Sequence, residues 1–323
     1  KSYTSGELLL NKPIKIKGKK SVGVAFLGYI NLEGGKPSHH SGADNVVVEL
    51  PTTTRTSILN IDMEDNEKAT ALYFENKGST PFIVKNFNLT STNGKGNSLV
   101  FVKKGIVKLD AEADPNGGVK GALTITNGES NVGIYTEATG QALSNNAPIT
   151  ITTSNSSIGV FAKRSGDITN TGDISATGKS VKAIISEGTK IDSTAKITVN
   201  GTALSDTDGS VGLASMNGGK ITQTNASTSI TVGGSASIGL YADGKVDPEP
   251  PATPLTAATA TTLKVTGGTV TAKDGAFNTY AANSGTITLD GVTLNTEQKS
   301  LAFYTTDNGK IDFGTGSMNT ANI

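Results

Sequence analysis

Ser157-Ile158-Gly159-Val160-Phe161-Ala162 decides the fold, because variants of this stretch return along the whole chain. Clear copies are Ser21-Val22-Gly23-Val24-Ala25-Phe26, Asn131-Val132-Gly133-Ile134-Tyr135, Ser210-Val211-Gly212-Leu213-Ala214 and Ser237-Ile238-Gly239-Leu240-Tyr241-Ala242. Looser copies are Thr70-Ala71-Leu72-Tyr73, Ser98-Leu99-Val100-Phe101, Val181-Lys182-Ala183-Ile184-Ile185, Ala276-Phe277-Asn278-Thr279-Tyr280 and Ser300-Leu301-Ala302-Phe303-Tyr304. From residue 133 onward the copies lie about 24 to 29 residues apart, except for one longer gap between 239 and 278, and a period of that size marks a solenoid.

Two further segments follow each copy. One comes after a Gly-polar corner, as in Gly166-Asp167-Ile168-Thr169, Gly219-Lys220-Ile221-Thr222 and Gly285-Thr286-Ile287-Thr288. The other ends in Thr or Val and a turn, as in Ile149-Thr150-Ile151-Thr152, Ile197-Thr198-Val199-Asn200 and Ile230-Thr231-Val232-Gly233. Three short β-branched strands per period predict an all-β fold, a parallel β-helix (β-solenoid) that is right-handed by the usual chirality of parallel crossovers. Each strand then bonds to its equivalent one coil away at about 4.8 Å, so roughly ten to twelve coils give a rod about 50 to 60 Å long. Period-two alternation predicts that Ile158 and Val160, Val132 and Ile134, Val211 and Leu213, and Ile238 and Leu240 all point inward as stacked ladders.

Composition narrows the function. Lys and Arg number 28, as do Asp and Glu, so the net charge is zero. There is no basic footprint for nucleic acid or an anionic membrane. Cysteine is absent, as suits a chain threaded unfolded through a second membrane, although a cytosolic chain can also lack it by chance. No signal peptide begins at Lys1 and no apolar run is long enough to span a bilayer as a helix, so an exported protein would be represented by an excised piece.

The repeat is irregular over 1–110 and clean over 111–323, which divides the chain into an irregular N-terminal solenoid portion and a regular β-helix. Asp247-Pro248-Glu249-Pro250-Pro251-Ala252-Thr253-Pro254 interrupts the latter. Prolines at that density cannot follow a central strand ladder, so 247–256 is expected to leave the rod as an extended loop. Insertions of this kind map to surface loops that often bind, making Pro248, Glu249, Pro250, Pro251 and Pro254 candidate contacts, with a tolerated neutral insertion as the other reading. Lys36-Pro37-Ser38-His39-His40-Ser41-Gly42 reads as a second exposed loop. It contributes Lys36, His39 and His40 as contacts; the His pair lacks a metal partner at ligand spacing.

Other signals read as structural. Lys12, Lys15, Lys17, Lys19 and Lys20 fit a lysine-guarded edge strand better than an anion site. Asp62, Glu64, Asp65 and Glu67, like Asp206-Thr207-Asp208-Gly209, fall short of a calcium loop. Tyr135, Phe161, Tyr241, Tyr280 and Tyr304 share one repeat position, interrupted at Ile185 and Ser215, and read as an aromatic ladder sealing a corner of the core, with glycan stacking as the sharper alternative. Carboxylates such as Asp167, Asp173, Asp192, Asp290 and Asp312 are scattered over different corners and no nucleophile elbow has its partners, so no catalytic residue, metal ligand or cofactor site is expected.

The stretches Ser157-Ile158-Gly159-Val160-Phe161-Ala162, Asn131-Val132-Gly133-Ile134-Tyr135 and Ser237-Ile238-Gly239-Leu240-Tyr241 are followed by Gly-rich corners such as Asp167-Ile168-Thr169-Asn170-Thr171-Gly172. Together they resemble the repeats of passenger domains of monomeric (type V) autotransporters, especially the large fusobacterial outer-membrane adhesins. The resemblance covers 110–323 well and 1–110 loosely. It implies a monomeric passenger on the bacterial cell surface, held by a C-terminal translocator barrel outside this fragment. It also implies protein or glycan receptors on other bacteria or host cells, serving coaggregation or attachment. A polysaccharide-processing β-helix enzyme, a plain spacer of a larger adhesin, and a trimeric autotransporter or phage fibre are the alternatives.

Overall fold

The structure is a computed structural model that describes residues 14–27, 30–33, 36–39, 47–48, 59–75, 81–85, 87–113, 119–140, 142–245, 260–314 and 320–322. Among the described residues there is no helix. The chain is a right-handed parallel β-helix whose coils each give one strand to each of three long sheets.

The organising stretch builds the first sheet, whose ten strands run from Val22–Leu27 and Thr70–Glu75 through Val132–Thr136, Ile158–Lys163, Lys182–Glu187, Val211–Met216 and Ile238–Asp243 to Leu301–Thr305. The second sheet, also ten-stranded, includes Phe82–Lys85, Val107–Asp110, Ile168–Asn170, Lys220–Gln223 and Lys310–Phe313. The third includes Leu59–Glu64, Phe87–Thr92, Val119–Thr126, Ile149–Asn155, Ile197–Thr202 and Thr320–Asn322. Pairing from coil to coil is parallel and in register in all three, as in Ile134↔Val160, Val160↔Ile184, Ile184↔Leu213 and Leu213↔Leu240, and one short strand, Glu112–Ala113, adds antiparallel to Val119–Thr126 within the third. Those rungs are 26, 24, 29 and 27 residues apart, which is the predicted period. Ten coils at about 4.8 Å per coil give a rod of about 48 Å.

The core is a set of aliphatic stacks. Leu72, Val100, Ile134, Val160, Ile184, Leu213 and Leu240 fill the first sheet's interior; Ile168, Ile191, Ile221, Leu263 and Ile287 the second's; Leu89, Leu123, Ile149, Ile174, Ile197, Ile230 and Val270 the third's. Each such side chain contributes about 1.5 to 3 kcal/mol by leaving water.

One inward assignment is corrected. Ile158, Val132, Val211 and Ile238 face outward and are only partly buried, whereas Gly159 and Val160, and their equivalents, are both buried. Two successive residues therefore point inward. The strand bends at the glycine, and the glycine drops out of the ladder register, which passes from Val132↔Ile158 directly to Ile134↔Val160. A Cβ on Gly159 would lie 2.6 Å from the carbonyl oxygen of Ala183 in the next coil, and one on Gly212 would lie 2.4 Å from that of Gly239. The glycine leaves space for the neighbouring coil's backbone.

The corner leading from the third sheet into the first uses left-handed residues in pairs, Asp65 with Lys68 and Asn127 with Ser130 among them. Between the members of successive pairs, Lys19, Glu67, Lys95 and Glu129 bridge coil to coil with alternating charge. Lys19 reaches Glu67 at 2.5 Å and Lys95 reaches Glu129 at 3.0 Å. A slip by one coil would place like charges together, so this column favours the observed register.

The proline-rich segment falls in 246–259, outside the described residues. The rod continues across it: Leu263 pairs with Ile221 on one side and Ile287 on the other.

Candidate functional site

Inside the rod, two columns of polar side chains replace apolar rungs. The first precedes the organising stretch, where Asn97, Asn131, Ser157, Ser210 and Ser237 are fully buried. Asn131 Oδ1 accepts the Asn97 backbone N–H at 2.8 Å, Ser157 Oγ accepts that of Asn131 at 3.2 Å, and Ser237 Oγ accepts that of Ser210 at 3.0 Å. The second column contains Asn145, Asn170, Ser193 and Gln223, with Asn145 Nδ2 donating to Asn170 Oδ1 at 2.8 Å. These columns bind coil to coil and are closed to a ligand. In the sequence they look like turn residues, because Asn and Ser next to Gly are the ordinary chemistry of a loop.

The outside is where the chain can meet a partner, and each sheet presents a different chemistry. The second sheet's face carries mixed charge. Lys108 pairs with Asp110 at 2.9 Å, Lys190 with Asp192 at 2.5 Å and Lys310 with Asp312 at 2.8 Å. The third sheet's face is hydroxyl-rich. The first sheet's face carries the aromatics.

Phe101 pairs in register with Tyr73 and Tyr135, and Tyr135 with Phe161. Ring centroids are 5.4 Å apart for Tyr73–Phe101, 5.0 Å for Phe101–Tyr135 and 5.4 Å for Tyr135–Phe161. A second run, Tyr241, Tyr280 and Tyr304, has spacings of 5.4 and 5.0 Å, with Phe277 set against Tyr304 at 5.3 Å. The ladder is thus present, and Tyr73 and Phe101 extend it, but its rings lie outward, half-buried or, at Tyr304, exposed, instead of sealing the core. The reason is the bend two residues before each ring, at Gly133, Gly159 and Gly239 and equally at Ala71, Leu99 and Asn278: two inward residues in succession turn the next one out. The interrupting rungs are Ile185 and Ala214; Ser215 lies one position further on, buried.

A polar margin flanks the strip. Tyr73 Oη donates to Glu75 at 2.7 Å, Tyr135 Oη to Glu137 at 3.1 Å and Tyr241 Oη to Asp243 at 2.8 Å, because residues two apart share a strand face. Burial first, and then the bond to Glu75, push the Tyr73 hydroxyl up to about 12. Burial and Asp243 raise Tyr241 in the same way. Lys103 closes on Glu137 at 2.5 Å, and this hydrogen bond and charge raise the lysine. Tyr73 and Tyr241 are therefore neutral hydrogen-bonding rings over the ordinary pH range.

The predicted contact loops are only partly placed. Pro248, Glu249, Pro250, Pro251, Pro254 and His40 lie outside the described residues. Lys36 and His39 bound a strand, Lys36–His39, paired antiparallel with Ile30–Glu33, so this part of the expected loop is a β-ladder.

One polar cluster was not foreseen. Ser156 Oγ donates to Asp208 Oδ2 at 3.0 Å, Ser180 Oγ donates to Asp208 Oδ1, and Lys182 Nζ lies 3.4 Å from the same oxygen and 2.8 Å from Ser180 Oγ. Burial acts to raise the Asp208 carboxyl, but the bonds from Ser180, Lys182 and Ser156 outweigh it and hold the group below its ordinary value. The lysine donates to a serine whose own proton is committed to Asp208, so the arrangement anchors the 205–208 turn and does not generate a nucleophile. Among the described residues no three His, Cys, Asp or Glu gather where they could hold a metal ion.

Comparison with known proteins places the chain no further: no family model, curated protein or solved structure matches it. The class its own structure defines is the parallel β-helix.

Proposed function

We propose that the chain is a rigid display rod of a bacterial surface adhesin, a passenger-type segment that presents partner contacts away from the cell and carries out no catalysis. The observation that supports this reading is the aromatic strip, which the coils hold on an outer face where it seals nothing inside. Over Tyr73, Phe101, Tyr135 and Phe161 it runs straight for about three coil spacings, or about 15 Å. An aromatic centre with a polar margin is the composition of a protein-binding surface. Proteins or glycans on other bacteria or host cells are the partners in this reading, the segment 247–256 is a second contact, and the anchoring barrel lies outside this fragment.

The test compares binding of the purified chain to whole bacteria and epithelial cells with that of Phe101→Ser/Tyr135→Ser and of a variant lacking 247–256, each checked by circular dichroism. Loss in the double variant assigns contact to the strip, and loss in the deletion assigns it to the loop. Binding by neither folded variant nor parent makes the chain a spacer.

A further inference from the structure

The aromatic strip carries a second period that the rings alone do not show. In four successive coils Tyr73 is followed by Glu75, Phe101 by Lys103, Tyr135 by Glu137 and Phe161 by Lys163. Each charge lies two residues after its ring, on the same outer face. The tyrosine coils are acidic and the phenylalanine coils basic. The corner on the other side of the sheet repeats the alternation in the same coils, with Glu67, Lys95 and Glu129 bridged in series. Between that corner and the rings, Thr70, Ser98, Val132 and Ile158 stand in register and partly buried. The result is a band with an uncharged, ring-bearing centre and margins that change sign from coil to coil.

We propose that this band is a docking face for one amphipathic α-helix of a partner protein, lying along the rod; the inference rests on the adhesive reading of the strip and names what the partner presents to it. Spacing selects the occupant. Ring centroids step by 5.4, 5.0 and 5.4 Å, and the apolar stripe of a heptad helix steps by about 5.25 Å, which is about 3.5 residues at about 1.5 Å each. Even against the coil spacing of about 4.8 Å the two stay in step to about 1 Å over the four rings. An extended strand repeats on one face about every 6.8 Å and a polyproline turn about every 9.3 Å, so both drift off the rings. Successive rings are inclined by 88°, 48° and 50°, which denies a glycan a common plane on which to stack. Charge points the same way. Along one flank of a helix, residues alternately three and four apart meet successive coils, so a Lys, Glu, Lys, Glu flank opposes Glu75, Lys103, Glu137 and Lys163 in turn. The four rings span about 15 Å, which about three helical turns cover. A contact of that size is weak singly and becomes effective when many copies are displayed together.

The test uses the full chain and a monomeric synthetic peptide of about 18 residues, about 27 Å long as a helix. It carries Leu at heptad positions a and d, Lys and Glu alternating along both flanks, and one tryptophan on its outer side. The chain has no tryptophan, so the anisotropy of the peptide is read alone. Saturable binding is expected. It should weaken at least tenfold in Phe101→Ser/Tyr135→Ser or with a proline placed mid-peptide, and about threefold when the flanks are Lys alone. In Lys103→Glu the margin is acidic over three coils, and the preference is expected to reverse in favour of the all-Lys peptide. That variant changes one exposed side chain, so the reversal stays readable even if the double variant fails to fold. No saturable binding, undiminished binding of the proline-broken peptide, an unchanged preference in Lys103→Glu, or tighter binding of a cello-oligosaccharide or a proline-rich peptide would each overturn the proposal. Cells that bind the chain when the peptide does not leave the adhesive reading standing and overturn the helix; a bound peptide without any bound cell does the reverse.

Discussion

The side-chain oxygen of Asn131 accepts the backbone N–H of Asn97, one coil away, at 2.8 Å inside the rod. Its amide nitrogen donates to the Gly94 carbonyl at 2.8 Å, so one buried carboxamide satisfies two backbone groups of the neighbouring coil. Asn131→Ala leaves the Asn97 N–H without a partner, while the Gly94 carbonyl keeps the Glu129 N–H at 2.9 Å. The expected loss is about 1 to 3 kcal/mol, the cost of one stranded buried group, read as a lower urea midpoint. Thr150→Ala, on the exposed face of the third sheet, is expected to stay within about 0.5 kcal/mol of wild type.

The glycine of the organising stretch gives a second prediction. In Gly212→Val the new Cβ meets the Gly239 carbonyl oxygen at 2.4 Å and Ile230 Cγ2 at 2.6 Å. Overpacking of this sort costs about 1 to 3 kcal/mol. Ala183 fills the equivalent rung, so Ala183→Gly is expected to cost only about 0.5 to 1 kcal/mol, the usual entropic loss within a strand. Thermal melts of the two variants, followed at a β-sheet band, check the order.

Much of this architecture was legible beforehand. The period, the three strands and the Gly corners all follow from the recurrence of Ser157-Ile158-Gly159-Val160, because a solenoid writes its geometry into its sequence. Side-chain direction was harder to read. Strict alternation sends Ile158 and Val160 the same way, but the bend at Gly159 puts the glycine and Val160 inward together and turns Ile158 and Phe161 out. Nor does anything local distinguish the buried Asn145 and Asn170, which bond across coils, from the asparagines of a surface turn. That difference appears only once coils are stacked.

Acid should act through Asp208. Its carboxyl is held below the ordinary aspartate value of 3.8 by Ser180, Lys182 and Ser156 acting against burial. A depressed folded value contributes stability above the unfolded value, and that stability is lost as pH falls through the folded one. The melting temperature is therefore expected to fall as pH drops below 3.8. In Asp208→Asn part of this acid limb should disappear, whereas an identical limb in the variant would assign it to other carboxylates.

Phe101 touches Tyr73 at 5.4 Å and Tyr135 at 5.0 Å, from outside the core. Phe101→Ser is expected to cost about 1 to 3 kcal/mol for two ring contacts and to leave the β-sheet spectrum intact. A collapse of that spectrum would mean that the ring supports the coil interior.

The central claim is that this rod makes adhesive contact, and the most direct measurement is equilibrium binding of the labelled, folded chain to intact bacteria and epithelial cells. The account predicts saturable binding to at least one cell type, competed by unlabelled chain and reduced at least tenfold in Phe101→Ser/Tyr135→Ser. Binding to none of them, or binding that rises without saturation and ignores the competitor, would contradict it.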